Sequence, residues 1–137
     1  MILHGFTDGA SRGNPGESGI GIVIRTEGGD NLVAEASYIG KTTNNAAEYE
    51  ALLALLDRAQ QLSCSRLIVH SDSELMVRQL SGSYKIKSPN LKEYYRRAKE
   101  KLASMPFPVE IRHVLREENS EADRLANIGI DRHVRTA

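Results

Sequence analysis

The sequence predicts an α/β fold, a five-stranded mixed sheet flanked by helices. Three observations predict it. Three short apolar, β-branched runs open the chain with only turn signals between them. From residue 44 onward, helical and strand-like segments alternate. Strands joined by tight turns pair antiparallel, whereas strands separated by helices pair in parallel through right-handed crossovers.

Residues 1–8 read as the first strand, ending at Thr7-Asp8. Residues 9–16, rich in Gly, Asn and Pro, read as a loop. Gly19 to Arg25 alternate small and branched residues as a second strand, and Gly28-Gly29-Asp30-Asn31 signals a hairpin into a third, Leu32 to Ile39. Asn44 to Gln61 carries apolar residues at Leu52, Leu55, Ala59 and Leu62, a helical stripe. Arg66 to His70 is a strand, Ser73 to Leu80 a short helix stopped by Ser81-Gly82, and Pro89-Asn90 opens a helix to about Ala103. Val109 to Val114 is the last strand and Ser120 to about His133 the last helix. No repeat or linker interrupts this order, so residues 1–137 are expected to form a single domain.

Composition excludes several classes. One cysteine, Cys64, allows no intrachain disulfide, and it is read as a small, partly buried residue. No apolar run approaches the roughly 20 residues of a membrane helix. The N-terminal segment lacks a signal peptide's basic and apolar regions, so the cytoplasm is the expected location. The 18 basic and 18 acidic residues cancel, which argues mildly against a nucleic-acid-binding protein. The bases nevertheless cluster in two places, at Tyr84-Lys85-Ile86-Lys87 and from Lys92 to Lys101. His4 and His70 read as strand residues, and His133 reads as tail surface.

Four acids sit where an acid is costly. Asp8 and Asp72 fall at the carboxyl ends of the first and fourth strands, where open α/β sheets bind ligands. Glu48 shares a stripe with Leu52 and Leu55, and Asp123 a face with Ala126, Ile130 and Val134. Simpler explanations exist. Asn45 to Glu48 and Ser120 to Asp123 resemble capping boxes, and Asp8-Gly9 and Ser71-Asp72 resemble turns. Caps and turns do not explain why all four converge on one end of the sheet. Four clustered carboxylates need compensating charge, and hard oxygen ligands favour Mg²⁺ or Mn²⁺.

Beyond the acids, Asp8-Gly9-Ala10 with Gly13-Asn14-Pro15-Gly16 and Gly19-Ile20-Gly21 resembles the first motif of type 1 ribonuclease H. Thr42-Thr43-Asn44-Asn45-Ala46-Ala47-Glu48 resembles the second, and Ser71-Asp72-Ser73 the third. His113-Val114 through Asn119, then Ala122-Asp123-Arg124-Leu125-Ala126, resembles the fourth. The resemblance covers almost the whole chain and implies the RNase H-like fold with strand order 3-2-1-4-5. It implies Asp8, Glu48, Asp72 and Asp123 as catalytic acids holding two divalent ions. The implied activity is endonuclease cleavage of the RNA strand of RNA/DNA hybrids, leaving 5′-phosphate and 3′-hydroxyl ends. No obligate protein partner is implied. The motifs further suggest Asn14, Asn44 and Asn45 for 2′-hydroxyls and base edges, and Gly9 and Gly13 for close backbone approach. They suggest Thr43 for a DNA-strand phosphate. Turn and cap duty explains the asparagines equally well.

Three departures stand out. The loop Leu115 to Asn119 is short and lacks the family's mobile histidine, leaving Arg116 and Glu117 as replacement candidates, while His113 is expected to pack inside. Glu74 stands where many relatives have glutamine. The basic helical protrusion of longer members is missing, so weaker hybrid affinity is expected, with Lys85, Lys87 and Lys92 contributing what phosphate contact remains. Two rival functions share the fold, a nucleic-acid binder that does not cut and a resolvase or integrase core. A missing acid would favour the former, and none is missing. The latter lack the combined Gly-Asn-Pro-Gly and Thr-Asn-Asn motifs.

Overall fold

The computed structural model describes residues 1–136. Among them, strands β1 (Ile2–Gly13), β2 (Gly16–Thr26) and β3 (Asn31–Thr42) form an antiparallel meander. Helix α1 (Asn44–Ala59) leads to β4 (Arg66–Ser71), then come α2 (Glu74–Leu80) and α3 (Pro89–Ser104). Strand β5 (Val109–His113), a 3₁₀ turn (Arg116–Asn119) and α4 (Ser120–Thr136) complete the order. The sheet runs β3-β2-β1-β4-β5, with β4 parallel to both β1 and β5. This is the α/β, RNase H-like arrangement the sequence predicts. No helix of the described residues is long and apolar enough to cross a membrane.

The expected loop over residues 9–16 is instead strand. The ladder between β1 and β2 continues from Asp8↔Gly21 to Gly13↔Gly16, closing over Asn14-Pro15. The glycines there serve packing more than flexibility. A Cβ built on Gly9 would lie 2.2 Å from the backbone carbon of Ala47, so α1 approaches β1 main chain to main chain. On β2, a Cβ at Gly21 would lie 2.1 Å from the Ala122 carbonyl oxygen and one at Gly19 2.4 Å from that of Ala126. Consecutive strand residues face opposite ways, and Gly21 pairs with Asp8, the neighbour of Gly9. Helices α1 and α4 therefore cover opposite faces of the sheet.

The α1 face carries the main core. Leu3, Ile22, Ile24, Leu67 and Val69 from the sheet meet Leu52, Leu55 and Leu56 from α1, with Met76 and Ala98 closing the side. One polar contact is buried there, the Tyr49 hydroxyl donating to Gln79 Oε1 at 2.7 Å.

The Lys92–Lys101 cluster does not form a free basic patch. Arg96 is held between Glu93 and Glu100 at 2.5 and 2.6 Å, and Lys101 reaches Asp57 at 2.7 Å. Arg97 lies over the Tyr94 ring and Lys99 donates to the Leu80 carbonyl, so much of the cluster is engaged within the fold. His133 is not tail surface. It is half-buried, its ring stacked nearly parallel on that of Tyr38 with the centroids 3.6 Å apart. His4 and His70 are neighbours across β1 and β4, their ring nitrogens 3.1 Å apart, with His70 stacked on Phe6. Cys64 is half-buried, as expected for a small thiol, and burial pushes its pKa up.

Candidate active site

The parallel ladder between β1 and β4 ends at Thr7↔Ser71. The next residue on each strand is an acid, Asp8 and Asp72, so the point where the two strands part is lined by carboxylates. Glu48 enters from the second turn of α1, and Asp123 from the first turn of α4. One carboxylate oxygen from each of Asp8, Glu48 and Asp72 lies within 4.8 Å of the others. Asp123 closes the group from the α4 side, near enough to share a hydrogen bond with Asp8.

Capping and turn duty do not account for these positions. Thr43 caps α1, its Oγ1 accepting from Ala46 N at 3.2 Å. Glu48 instead accepts from Gly9 N at 2.7 Å across the α1–β1 contact. Ser73 caps α2 through Met76 N at 3.2 Å, so Asp72 has no cap role. Asp8 lies within a strand and is 4% exposed. Asp123 is the exception, since the α4 dipole also favours an acid in that turn.

The electrostatics of the cluster are strained. Burial, then the charges of Glu48 and Asp72, then the hydrogen bond and charge of Asp123 push the Asp8 pKa up from 3.8 to about 9. Burial likewise raises Glu48 from 4.5 to about 8, the Gly9 N–H opposing it and Asp72 and Asp123 adding to it. All the donors are hard carboxylate oxygens. Divalent cations such as Mg²⁺ or Mn²⁺ would relieve their repulsion, so the residues present fit such ions.

This carries a pH prediction. Between about pH 4 and pH 9, folded Asp8 and Glu48 hold protons that the unfolded chain has released, so unfolding releases protons and stability falls as pH rises. In chelator, denaturation midpoints should drop steadily across that window. Saturating Mg²⁺ should flatten the slope, and an unchanged slope with Mg²⁺ would show that the ion binds elsewhere.

The acids line a cleft of about 440 Å³, whose walls also hold Gly9, Ala10, Ser11, Arg12, Asn44, Arg116 and Asn127. Of the residues singled out in the sequence, Gly13, Asn14, Thr43, Asn45, Lys85, Lys87 and Glu117 do not line it. Asn14 and Asn44 form part of the hairpin support. Asn14 Oδ1 accepts from Asn44 N at 3.1 Å, and Asn44 Oδ1 accepts from Ser11 N at 3.0 Å. Both carbonyl oxygens are thus taken by backbone, and the amide NH₂ of each has no partner among the described residues. Asn45 is exposed beside them, and Gly13 has φ 110° at the hairpin tip. Lys85 and Lys87 are exposed on the connection between α2 and α3. Glu74, which stands where many relatives have glutamine, does not line the cleft and pairs with Arg78 at 2.9 Å. His113 does not pack inside. It is exposed at the end of β5, because the edge strand has no further layer over its last residue.

Asn119, Arg12 and Asn127 are site residues that sequence reasoning passed over. Asn119 is 1% exposed, and its Nδ2 donates to Thr7 O at 2.8 Å and to Asp72 Oδ2 at 3.4 Å. It ties β1, at Thr7, to the acid after β4. The available signal was an uncharged amide closing the charged run Arg116-Glu117-Glu118. Asn127 sits one turn beyond Asp123, donating to the Asp123 carbonyl at 3.0 Å.

Comparison with known proteins places this geometry among relatives. The family described as reverse transcriptase-like matches residues 6–129. Ribonuclease HI of Halobacterium salinarum is 40% identical over 130 residues, 94% of this chain and 64% of that protein. A bifunctional protein of Mycobacterium tuberculosis is 43% identical over 131 residues, 95% of this chain and 36% of that protein. The chain thus spans between about a third and two thirds of the length of these curated relatives. Among solved structures, LC11-RNase H1, isolated from compost and crystallised with an RNA/DNA hybrid, superposes with TM-score 0.91 at 42% identity, covering 96% of this chain and 99% of that one. RNase H1 of H. salinarum superposes with TM-score 0.90 at 37% identity, over 96% of this chain and 98% of that one.

Proposed function

This chain belongs to the type 1 ribonuclease H family, and from that premise we propose that it hydrolyses the RNA strand of RNA/DNA hybrids with two divalent ions, leaving 5′-phosphate and 3′-hydroxyl ends. The observation that carries the reading is the carboxylate cluster of Asp8, Glu48 and Asp72, joined by Asp123, at the mouth of one cleft. The similarity to an RNase H1 that binds an RNA/DNA hybrid supports the substrate.

Asp8, Glu48, Asp72 and Asp123 would hold the two ions, Mg²⁺ or Mn²⁺. When bound, such a pair lowers the pKa of the attacking water and stabilises the departing 3′-oxygen. The protein's own residues do the rest. Asn119 links the Asp72 carboxylate to β1 at Thr7, and the Gly9 N–H holds that of Glu48. The unpartnered amide NH₂ groups of Asn14 and Asn44 can donate to an RNA 2′-hydroxyl, the group that separates RNA from DNA. Gly9 lets the backbone carry this wall without a side chain in the way.

Arg116 lines the cleft and Glu117 does not, which separates the two candidates for the missing histidine. Arginine stays protonated at neutral pH, so its part is charge stabilisation and phosphate orientation. Arg116→Ala is expected to lower turnover about tenfold or more with an unchanged metal optimum, ~1.4 kcal/mol in barrier. Glu117→Gln should stay within about twofold, under ~0.5 kcal/mol. A shifted metal optimum in Glu117→Gln would reverse the assignment. Lys85, Lys87 and Lys92 are offered as outer phosphate contacts. Their joint replacement by Ala should flatten the salt dependence of hybrid affinity by roughly 0.9 in log–log slope for each phosphate no longer neutralised.

The test is incubation with end-labelled RNA/DNA, RNA/RNA and DNA/DNA duplexes in Mg²⁺, Mn²⁺ or chelator. Cleavage confined to the RNA of the hybrid, abolished by chelator, is expected. Binding without cleavage in either metal would overturn the reading.

A further inference from the structure

Arg12 lies on the last stretch of β1, where the ladder with β2 carries it out toward the hairpin tip. Its guanidinium crosses to α4. One nitrogen, Nη1, is 2.7 Å from Asp131 Oδ1, and the other, Nη2, donates to Asn127 Oδ1 at 3.3 Å and to the Asn127 carbonyl at 3.4 Å. Asp123, Asn127 and Asp131 follow one another at four-residue spacing, a single stripe up α4. Arg12 is laid along that stripe, and both it and Asn127 line the cleft that holds the acids.

A salt bridge that only pinned a hairpin to a helix would have no reason to sit in the wall of the acid cleft. The guanidinium is also fixed in place. Three acceptors orient it while its side chain stays 43% exposed. Arginine's planar fork binds phosphate oxygens, and a fork already held by neighbours loses less freedom when it does so. Its charge lies in the wall of the same cleft as Asp123, one to two turns of α4 further on, within the reach of a backbone that fills the cleft.

We propose that Arg12, oriented by Asp131 and Asn127, is a substrate-binding residue that grips a backbone phosphate flanking the scissile one. This rests on the reading of the cleft as a hybrid-cleaving site. Asp131 is then a positioning residue, which acts only through Arg12.

Kinetics separate a phosphate contact from a staple. KM and kcat for hybrid cleavage are measured in Mg²⁺ over a range of salt for the unaltered protein, Arg12→Ala, Arg12→Gln and Asp131→Asn, with melting temperatures alongside. Arg12→Ala and Arg12→Gln are expected to raise KM about tenfold, leave kcat within about twofold, and flatten log KM against log salt by about 0.9, the share of a single neutralised phosphate. Asp131→Asn breaks the same salt bridge but keeps the cation, so it should lower the melting temperature as Arg12→Ala does while the slope stays unchanged. If all three variants share one melting loss and keep the unaltered KM and slope, Arg12 is only a staple. If Asp131→Asn matches Arg12→Ala in KM and neither slope moves, the hairpin's position and not the cation sets affinity, and the proposal fails. An unaltered protein that does not cut the hybrid would instead sink the proposed function on which this inference stands.

Discussion

Asp8→Asn is expected to abolish hybrid cleavage, by about a thousandfold or more in kcat/KM, ~4 kcal/mol in barrier. Asp8 is the centre of the cluster. It is buried, it is the acid whose pKa rises furthest, and both Glu48 and Asp72 add to that rise. The amide keeps the shape of the side chain while removing the negative charge on which divalent binding depends. Asp72→Asn should do the same, because Asp72 has one carboxylate oxygen inside the same group. The variants should fold, and in chelator at neutral pH Asp8→Asn should melt above the unaltered protein, since the buried side chain no longer has to take up a proton on folding. Circular dichroism melts and cleavage assays on the same preparations check both halves. Near-normal turnover in Asp8→Asn at saturating Mg²⁺ would remove it from the catalytic set. A lowered melting temperature of Asp8→Asn in chelator would show that burying this acid carries no such cost.

Gly21→Ala is expected to cost stability on the scale of a disrupted core, about 3 kcal/mol or more, although it deletes no atom that packs. Its Cβ would lie 2.1 Å from the Ala122 carbonyl oxygen and 2.7 Å from Ala126 N. Backbone atoms of a packed helix cannot give way as a side-chain tip can, so α4 must lift from β2 as a unit. Asp123 rides on that helix beside Ala122, and the variant should therefore lose activity out of proportion to its loss of fold. Gly9→Ala repeats the argument on the other face, with a Cβ 2.2 Å from the Ala47 backbone, and should displace Glu48. Gly29→Ala is the contrast. It has no neighbour within 4 Å, and its cost is confined to a positive φ of 95°. Chemical denaturation of the three variants orders them directly, and equal losses at Gly21 and Gly29 would refute the close-approach account.

These glycines also mark where sequence reasoning stopped short. The element order was legible because alternating and helical periodicities report which face a residue buries, and the pairing sense because of the connections between strands, while the strand order 3-2-1-4-5 came with the family resemblance. Glu48 and Asp123 were legible for the same reason, each interrupting an apolar stripe, and Asp8 and Asp72 because they fall at the carboxyl ends of strands. Gly9, Gly13 and Gly16 read as a loop because a glycine-rich stretch looks alike whether the chain turns there or another backbone comes close. Asn119 and Arg12 were hidden because their partners are distant in sequence. Asn119 meets Thr7 and Asp72, and Arg12 meets Asn127 and Asp131. His113 and His133 were placed the wrong way round, one outside and one half-buried. An imidazole is common in both settings, and only the presence of a layer above it decides.

The four acids emerge in the order Asp8, Glu48, Asp72, Asp123, and the last arrives on the helix that covers the bare glycine tract of β2. Synthesis runs from the N-terminus, so a growing chain carries three of the acids long before it can assemble the site. Asn119, which fastens Asp72 to β1, is equally late. A chain interrupted before residue 119 would present an uncovered sheet face and an unfinished cluster. On the proposed function, cutting is expected only once α4 has been translated, and its appearance on a stalled-ribosome series would time the docking of that helix.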